Sequence, residues 1–456
     1  MAKARTELGE KVSSYRDRGA RQVKIGLTDL DGVIRGKYVS LEKFADLLAH
    51  GGGFCDCVFG WDVDDQLYDA ATFTGWHSGF PDAPFRLVTA SERWLPDEGI
   101  PYFIGEFVDS DAGDHPICPR SCLRRVLDRL HGHALTLKSG FEYEFFIFAE
   151  TPHSVRAKNY TDLIPLTPGN FGYSVLRASA QSTLFQEFMD FCADLDLPIE
   201  ALHCETGPGV WEAALAAADG LDAADRAVLF KTFAKVYFLK RDAIATFMAK
   251  WSMDVPGQSG HFHFSLLDTS GTNVMFAEGN SMADTMRHAI GGLVRYVPDF
   301  LPMLAPTVNS YTRLVKGAWA PTAATWGVDN RTAAFRAIPG GPNSQRIECR
   351  VGGADANPYL VAAATVGAAV LGIEQRLEPP DAVQGNAYDV EDNLPEALRF
   401  SPNLRDATRR FADSQPARDL FGDAFVDHFV TSRDWESRQH ERSVDSWQLQ
   451  RYFEII

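Results

Sequence analysis

The sequence predicts an α+β protein built from two unequal domains. Its 456 residues exceed the size at which a single hydrophobic core stops growing, so we expect two cores. Strand patterns dominate the first 108 residues. From Pro119 onward helical periodicity alternates with short strands, which is typical of a larger mixed unit. The polar, breaker-rich stretch 109–116 divides them, and we predict domains of residues 1–114 and 115–456.

The first domain opens with a charged segment and continues as strands. Residues 1–22 carry charges at helical spacing and no apolar signal-peptide core, which predicts an exposed helix. Residues 23–40 alternate apolar and polar side chains around Asp31-Gly32, the strongest short-range hairpin signal. Strand-like runs follow at 54–61 and 102–108.

The second domain contains longer helical patterns, at residues 121–132, 179–196 and 222–242. The longest apolar stretch, 359–373, is shorter than the roughly 20 residues of a membrane helix. Asn357-Pro358 before it reads as an N-cap with proline at the first helical position. We therefore expect a buried helix and no membrane partner. The charged, helical tail 394–456 is expected to pack outside this domain.

Composition excludes some partners and indicates a compartment. The formal net charge is −17, with 61 acidic and 44 basic residues, which disfavours nucleic acid because polyanion binding needs clustered Lys and Arg. Seven cysteines are an odd and sparse set that favours reduced thiols and a cytoplasmic protein. Cys55-x-Cys57 and Cys118-x₃-Cys122 lack histidines at zinc spacing, so we expect no zinc site.

Three short segments place polar side chains on one face of a strand and apolar ones on the other. Phe141 to Phe145 alternates glutamate with aromatics, and segments 261–265 and 346–350 repeat the design. Alone, each could be an exposed strand with ordinary glutamates, a satisfied histidine or a surface ion pair. Together they predict one polar-lined interior.

A fourth segment adds two glutamates. A Gly-Pro-Gly loop separates Glu205 from Glu212, and glycine permits the tight turn that returns the second carboxylate to the same site. The inward candidates are Glu142, Glu144, Glu205, Glu212, His261 and Glu348. Adjacent inward carboxylates repel unless a cation lies between them. This set consists mainly of carboxylate oxygens, which are hard ligands that suit Mg²⁺ or Mn²⁺, and it is large enough for two metal sites.

Arginines accompany the carboxylates in the last part of the chain. They are Arg313, Arg331, Arg336, Arg346 and Arg350. A two-metal site with arginines nearby is typical of phosphoryl transfer, because both neutralise phosphate oxygens. The Walker A and kinase glycine loops are missing from the sequence, so nucleotide binding would use another scaffold.

These motifs, in this order, resemble the glutamine synthetase superfamily over nearly the whole chain. The matching segments are 142–144, 205–212, 257–266, 309–321, 330–336, 346–350 and 356–360. The resemblance implies a small N-terminal β-grasp-like domain and a large catalytic domain with a curved antiparallel sheet flanked by helices. It also implies a homo-oligomer of stacked, dodecamer-like rings with each active site between neighbouring subunits.

The resemblance implies a role for each motif residue. One metal would be held by Glu144, Glu205 and Glu212, and another by Glu142, His261 and Glu348. The nucleotide would lie beside His263, Ser265 and Arg346, its phosphates against Arg331 and Arg336. Glutamate would contact Gly257, Arg313 and Arg350. The implied activity is an ATP- and Mg²⁺-dependent ligase that forms a γ-glutamyl phosphate, with Arg331 and Arg336 as catalytic residues.

Two departures concern the amine. Trp319 occupies the place where ammonia-using members carry an acidic residue; an indole cannot accept a proton, but its face attracts a cationic amine. Core packing is the alternative for Trp319. The acid that those members carry in the N-terminal domain has only Asp56 as its nearest match, and Asp62, Asp64 and Asp65 stay open.

We therefore predict the branch that makes γ-glutamyl amides, with Trp319 and Asp56 handling an alkylamine, polyamine or aromatic amine. Val210 and Pro256 also differ from the residues usual in ammonia-using members. An ordinary glutamine synthetase that uses ammonia is one alternative. A non-catalytic assembly is the other, although it would be expected to lose its metal ligands.

Overall fold

The computed structural model describes residues 2–109, 111 and 113–455. In chain order its strands are β1 (Gln22–Thr28), β2 (Ile34–Ser40), β3 (Gly52–Cys55), β4 (Asp82–Leu87), β5 (Arg93–Leu95), β6 (Ile100–Phe107), β7 (Leu135–Phe148), β8 (Ile199–Cys204), β9 (Val210–Leu215), β10 (Ala218–Asp219), β11 (Ile244–Thr246), β12 (Gly260–Asp268), β13 (Phe276–Ala277), β14 (Ser281–Met282), β15 (Trp326–Val328), β16 (Phe335–Ile338) and β17 (Arg346–Cys349).

The helices surround two sheets. They are α1 (Ala2–Asp17), α2 (Leu41–His50), α3 (Pro119–His131), α4 (Pro152–Ala157), α5 (Val175–Ala180), α6 (Ser182–Asp194), α7 (Asp222–Leu239), α8 (Asp284–Leu304), α9 (Ser310–Arg313), α10 (Pro358–Gln375), α11 (Leu404–Ala412), α12 (Gln415–Phe421), α13 (Asp423–Glu441) and α14 (Ser446–Tyr452).

The first sheet has the order β2-β1-β6-β4-β3 among the described residues, with β5 on β6. The predicted hairpin is confirmed: β1 and β2 pair antiparallel, and Gly32 takes a φ of +80° in their turn. The predicted strand at 54–61 is wrong beyond Cys55. There the chain forms a 3₁₀ turn, Asp56–Phe59, which Gly60 closes by donating its N–H to the Cys57 carbonyl at 2.8 Å.

The second sheet has the order β15-β16-β17-β12-β7-β9-β8 in the described part of the chain, with β10 and β11 also on β7. Its pairs are antiparallel except β15 with β16, as the α+β prediction requires. The 14-residue strand β7 is the central strand and pairs with β9, β10, β11 and β12. The helix predicted at 179–196 is interrupted at Gln181, whose φ of −110° and ψ of 17° end α5 before α6 begins.

Helix α10 fills the core as predicted. Of the described helices it is the one long and apolar enough to cross a membrane, and 83% of that segment is buried inside the protein. Its N-cap Asn357 accepts a hydrogen bond from the Tyr359 N–H at 3.0 Å. The same side chain donates to the carbonyls of Asp29 and Leu30 in the hairpin. The helix start therefore fixes the hairpin of the first sheet against α10.

A buried polar cluster also joins the first sheet to helices α3, α7 and α10. Arg120 on α3 makes a bidentate pair with Asp225 on α7, at 2.8 and 2.9 Å, and pairs with Glu106 on β6 at 3.1 Å. Tyr359 donates to Asp225 at 2.6 Å. The domain boundary at 114 stays a prediction, and residues 110 and 112 of that stretch lie outside the described residues.

We expect the substitution Asp225→Asn to destabilise the protein by about 3 kcal/mol, because it leaves a buried guanidinium with less counter-charge. The matched control is Asp222→Asn on the same helix, whose side chain is 42% exposed and whose loss should change stability by less than about 1 kcal/mol. Urea unfolding followed by tryptophan fluorescence measures both. Equal midpoints for the two variants would contradict the prediction.

Acid should destabilise the fold through His428. Burial lowers its folded-state pKa from 6.5 to about 4, and its Nε2 lies 2.7 Å from the Phe59 carbonyl. Between these pH values the unfolded chain binds a proton that the folded protein does not. The contribution is therefore present above pH 6.5 and is lost as the pH falls, by about 3 kcal/mol in total.

The test compares His428→Gln with the wild type and with the exposed control His50→Gln. The variant His428→Gln should show a shallower loss of unfolding midpoint between pH 6.5 and 4, since glutamine keeps a donor for Phe59 and does not titrate there. His50→Gln should follow the wild type. Identical pH profiles for all three proteins would refute the assignment.

Candidate functional site

A polar cavity of about 590 Å³ lies on one face of the second sheet. Strand alternation creates it, because Glu142 and Glu144 face the cavity while Phe141, Tyr143 and Phe145 are buried on the opposite face. The predicted site residues that line it are Glu142, Glu144, Glu205, Glu212, Gly257, His261, His263, Arg313, Trp319, Arg331, Arg336, Arg346, Glu348 and Arg350. Residues from distant parts of the chain therefore converge.

A second cavity of about 340 Å³ adjoins the first. The two share Glu142, His263 and Arg346 as lining residues. Ser265, predicted to lie beside a nucleotide, lines the smaller cavity and donates to the Gln345 carbonyl at 2.9 Å. The space is therefore one cleft with two compartments.

The first ligand group consists of Glu142, His261 and Glu348 on three neighbouring strands. His261 is paired with Glu142 in the β7–β12 register, and its Nδ1 lies 3.1 Å from Glu142 and 3.3 Å from Glu348. Burial raises the pKa of Glu142, but the hydrogen bond and charge of His261 outweigh it and hold the pKa at about 2. These three side chains can together hold one divalent cation.

The second group contains a residue that sequence reasoning did not assign. His203 Nε2 lies 3.2 Å from Glu205 and 3.4 Å from Glu212, so His203 joins these two glutamates as a possible ligand. Glu144 faces Glu212 across the β7–β9 pair, while its Oε2 accepts the Ser259 N–H at 2.6 Å. The i, i+2 spacing of His203, on β8, and Glu205, directly after β8, was the signal that could have found it.

The electrostatics of the cavity fit a divalent cation. Burial, reinforced by the charges of Glu142, Glu144 and Glu205, raises the pKa of Glu212 to about 10. The Nε2 atoms of His261 and His263 are buried without a hydrogen-bond partner. Carboxylate oxygens with imidazole nitrogen match Mg²⁺ or Mn²⁺. Such an ion would neutralise the carboxylates and phosphate oxygens placed beside it.

Arginines line the cavity at different positions, and two of them pair with Glu348. Arg350 Nη1 lies 2.6 Å from Glu348 Oε1, and Arg336 Nη1 lies 3.1 Å from its Oε2. Arg336 also pairs with Asp329 at 2.5 Å. Arg346 donates to His263 at 3.3 Å. Arg331 is exposed at the cavity wall. Together they give one side of the cleft a positive lining.

Arg313 and Gly257 lie against each other at another wall. The buried Arg313 guanidinium donates to the Val351 carbonyl at 2.9 Å and to Ser259 Oγ at 3.0 Å. A Cβ on Gly257 would lie 2.6 Å from Arg313 Cγ and 2.8 Å from the Ala249 carbonyl oxygen. Only glycine allows the chain to pass this close, so residue 257 helps to shape the cavity wall.

Trp319 lies at the cavity wall rather than in the core. It is 62% exposed and takes a left-handed φ of 60°, so the core-packing alternative is wrong. Tyr173, another lining residue that sequence reasoning missed, stacks on His203 with ring centroids 4.5 Å apart. No pattern in the sequence marked Tyr173, because it lies in a loop.

Asp56 is not among the described residues that line the cavity. It is 6% exposed and lies in the 3₁₀ turn after β3. Of the other acids left open for this role, Asp62 accepts a hydrogen bond from Trp435 at 2.7 Å and Asp65 pairs with Arg35 at 2.8 Å. Within one chain, the N-terminal acid is therefore not brought to the site.

The catalytic-domain profile of glutamine synthetase matches residues 116–452. The chain belongs to the glutamine synthetase family. It is 43% identical to type-1 glutamine synthetase 2 of Dictyostelium discoideum, over 95% of this chain and 84% of that protein. It is 34% identical to a glutamate–isopropylamine ligase of a Pseudomonas species, over 95% of both chains.

Two further relatives complete the comparison. A gamma-glutamylethanolamide synthetase of Streptomyces coelicolor is 35% identical over 95% of this chain and 92% of its own. A solved structure of a GmaS–ADP complex superposes with a TM-score of 0.84 and 26% identity, over 97% of this chain and 99% of that one. These relatives place the chain with glutamine synthetases and γ-glutamyl amide synthetases and show the glutamine synthetase fold.

Metal binding can be tested without activity. We expect Mn²⁺, titrated into chelator-treated protein, to raise the melting temperature and to bind at two sites in a calorimetric titration. Glu205→Gln should weaken one of these sites by about tenfold or more and leave the other intact. The control Glu187→Gln, at a side chain 55% exposed on α6, should match the wild type. Unchanged Mn²⁺ binding by Glu205→Gln would contradict this assignment.

Proposed function

We propose that this protein is an ATP-dependent carbon–nitrogen ligase that joins a small organic amine to the γ-carboxyl of glutamate. The observation that carries the proposal is the exposed Trp319 indole on the wall of a cavity that also holds the carboxylate and arginine clusters. The proposed site uses two or more Mg²⁺ or Mn²⁺ ions and ATP as co-substrate.

The reaction has two steps. A glutamate side-chain oxygen attacks the γ-phosphorus of ATP, ADP leaves, and a γ-glutamyl phosphate forms. The protonated amine gives up one proton and so becomes a nucleophile. Its nitrogen then attacks the acyl carbon, phosphate leaves, and the new amide nitrogen gives up a second proton. Activation is needed because a free carboxylate is a poor acyl donor. Arg331 and Arg336 are proposed to stabilise the transferring phosphoryl group by their fixed charge.

The substrates are assigned to the two compartments. The smaller cavity, with His263, Ser265 and Arg346, is proposed for the nucleotide. Gly257, Arg313 and Arg350 at the larger cavity are proposed for glutamate, since guanidinium groups pair with carboxylates. The likeness to a GmaS–ADP complex supports a nucleotide site in this fold.

The amine is proposed to bind against Trp319. A protonated amine is attracted to an indole face by about 0.5 to 2 kcal/mol, and an alkyl group adds apolar contact that ammonium cannot make. Val210 and Pro256 add apolar surface to the same cavity. Relatives named for isopropylamine and ethanolamide chemistry support an organic amine.

The acceptor of the amine proton is assigned to Asp56 of a neighbouring subunit. Asp56 Oδ1 is buried without a hydrogen-bond partner in the single chain, and burial raises the pKa of this carboxyl, which suits proton transfer. This assignment requires the stacked-ring homo-oligomer, in which an N-terminal domain meets the next catalytic domain.

An ordinary glutamine synthetase that uses ammonia is the second candidate. The 43% identity to type-1 glutamine synthetase 2 of Dictyostelium discoideum favours it. A non-catalytic assembly is disfavoured, because all six predicted ligand side chains converge on the cavity and buried acids are costly to retain without a cation.

The proposal predicts phosphate release that depends on ATP, Mg²⁺ and glutamate and is faster with an organic amine than with ammonium. The panel contains ammonium, methylamine, isopropylamine, ethanolamine, putrescine, benzylamine and aniline. Trp319→Ala should raise the KM for the best amine by about tenfold, from the loss of roughly 1.4 kcal/mol of contact. Product masses identify the amide formed.

Trp447→Ala provides the control, since Trp447 is 59% exposed on α14 and is not among the described residues lining the cavity. Its amine KM should equal that of the wild type. Activity with ammonium alone would overturn the proposal in favour of a glutamine synthetase. An amine KM unchanged by Trp319→Ala would remove Trp319 from the amine site.

A further inference from the structure

Residues before and after Trp319 form hydrogen bonds and ion pairs with the same neighbouring segment. This segment, residues 385–393, follows α10 and contains two short 3₁₀ turns. We call it the clasp. None of its residues is among the described residues that line the cavity, so any influence on the reaction must pass through the residues that the clasp contacts.

The contacts occur before and after Trp319. Before it, Lys316 Nζ lies 2.8 Å from Asp392 Oδ1 and 3.4 Å from Glu391 Oε2. After it, the Tyr388 hydroxyl donates to the Ala320 carbonyl at 3.0 Å. The Thr322 hydroxyl donates to Glu391. The clasp therefore holds both ends of a short turn and leaves its apex free.

The apex requires such support. Trp319 takes a φ of 60°, a left-handed conformation that non-glycine residues rarely adopt. Its side chain is 62% exposed, so packing of the indole does not hold the backbone in place. A strained residue keeps its conformation only where the surrounding structure constrains it. The contacts on either side of Trp319 supply that constraint.

The clasp is itself fixed to the rest of the site. Glu391 is 5% exposed. The Ala387 N–H donates to the Thr332 hydroxyl at 2.9 Å, and Asn330 donates to the Gly385 carbonyl at 2.8 Å. Thr332 and Asn330 flank Arg331, which lines the same cavity. One segment thus sets the position of the Trp319 turn relative to the Arg331 turn.

We propose that Tyr388 and Glu391 are positioning residues that hold the Trp319 indole at the amine end of the cavity and thereby set amine selectivity. This inference rests on the proposed function, since it gives Trp319 the amine. Tyr388 acts on the turn through the Ala320 carbonyl, and Glu391 acts through Thr322 and Lys316.

The first test is Tyr388→Phe, which removes one hydroxyl. Loss of one hydrogen bond should raise the amine KM by about fivefold. The KM values for glutamate and ATP should stay within about twofold, because the lost hydrogen bond is the one to the Ala320 carbonyl in the Trp319 turn. In the Trp319→Ala background the same substitution should change the amine KM by less than about twofold, since coupled residues are not additive.

A second measurement needs no substrate. Hydrogen exchange of the backbone amides of residues 316–322 should become about tenfold faster in Tyr388→Phe, because the turn opens more often. Exchange in β7 and β12 should not change. Lys316→Met, which removes the ion pairs before Trp319, is the second variant should Tyr388→Phe fold poorly. Tyr160→Phe, at a 62% exposed tyrosine, is the matched control.

Equal effects of Tyr388→Phe on the amine KM with and without Trp319 would overturn the proposal. So would unchanged exchange at 316–322. Should ammonium prove to be the sole amine substrate, the proposed function fails alone: faster exchange at 316–322 and a raised ammonium KM in Tyr388→Phe would still support the clasp.

Discussion

The repulsion among glutamate side chains held on neighbouring strands governs this structure. Glu142, Glu144 and Glu212 project into one cavity from β7 and β9, and Glu348 joins them from β17. Burial and neighbouring charges raise the pKa of Glu212 to about 10. Such an arrangement is stable when positive charge is supplied. The arginines and histidines supply part of this positive charge. The negative charge that they leave unbalanced explains why the cavity fits divalent cations.

The opposite face of the same strands makes this crowding possible. Phe145 and Tyr143 of β7 pack against Phe230 of α7 with centroids 6.0 and 6.2 Å apart. Phe141 contacts Phe262 of β12 at 4.9 Å. This aromatic layer is buried in the core, and its burial favours the register that brings the carboxylates together. Burial of the aromatic face therefore offsets the repulsion among the carboxylates on the polar face.

The carboxylates and Trp319 are held by different kinds of structure. Glu142, Glu144, Glu212 and Glu348 lie on strands, whose backbone pairing gives them little freedom. Trp319 and Arg331 lie in turns, held by side-chain contacts such as those of the clasp. Turns can change residue without disturbing the sheet, so the residue at position 319 can vary while the carboxylates of the sheet stay in place.

Much of the fold and site followed from local patterns. The Asp31-Gly32 hairpin, the Asn357 cap and the faces of β7 and β12 depend on residues close in sequence, where period and turn chemistry decide the outcome. The errors have a tertiary cause. Segment 54–61 had strand composition, yet the Asp56 N–H pairs with the Pro81 carbonyl and the chain turns there. The helix at 179–196 broke at Gln181, which no sequence signal marked.

The sequence by itself determined the ligand types and the alternation that aims them inward, because these depend on residue identity and strand period. Only the tertiary structure decided that His203 joins Glu205 and Glu212, that Trp319 is exposed at the cavity, and that the clasp holds its turn. Those facts depend on contacts between segments far apart in the chain, and no local pattern records which distant segments will meet.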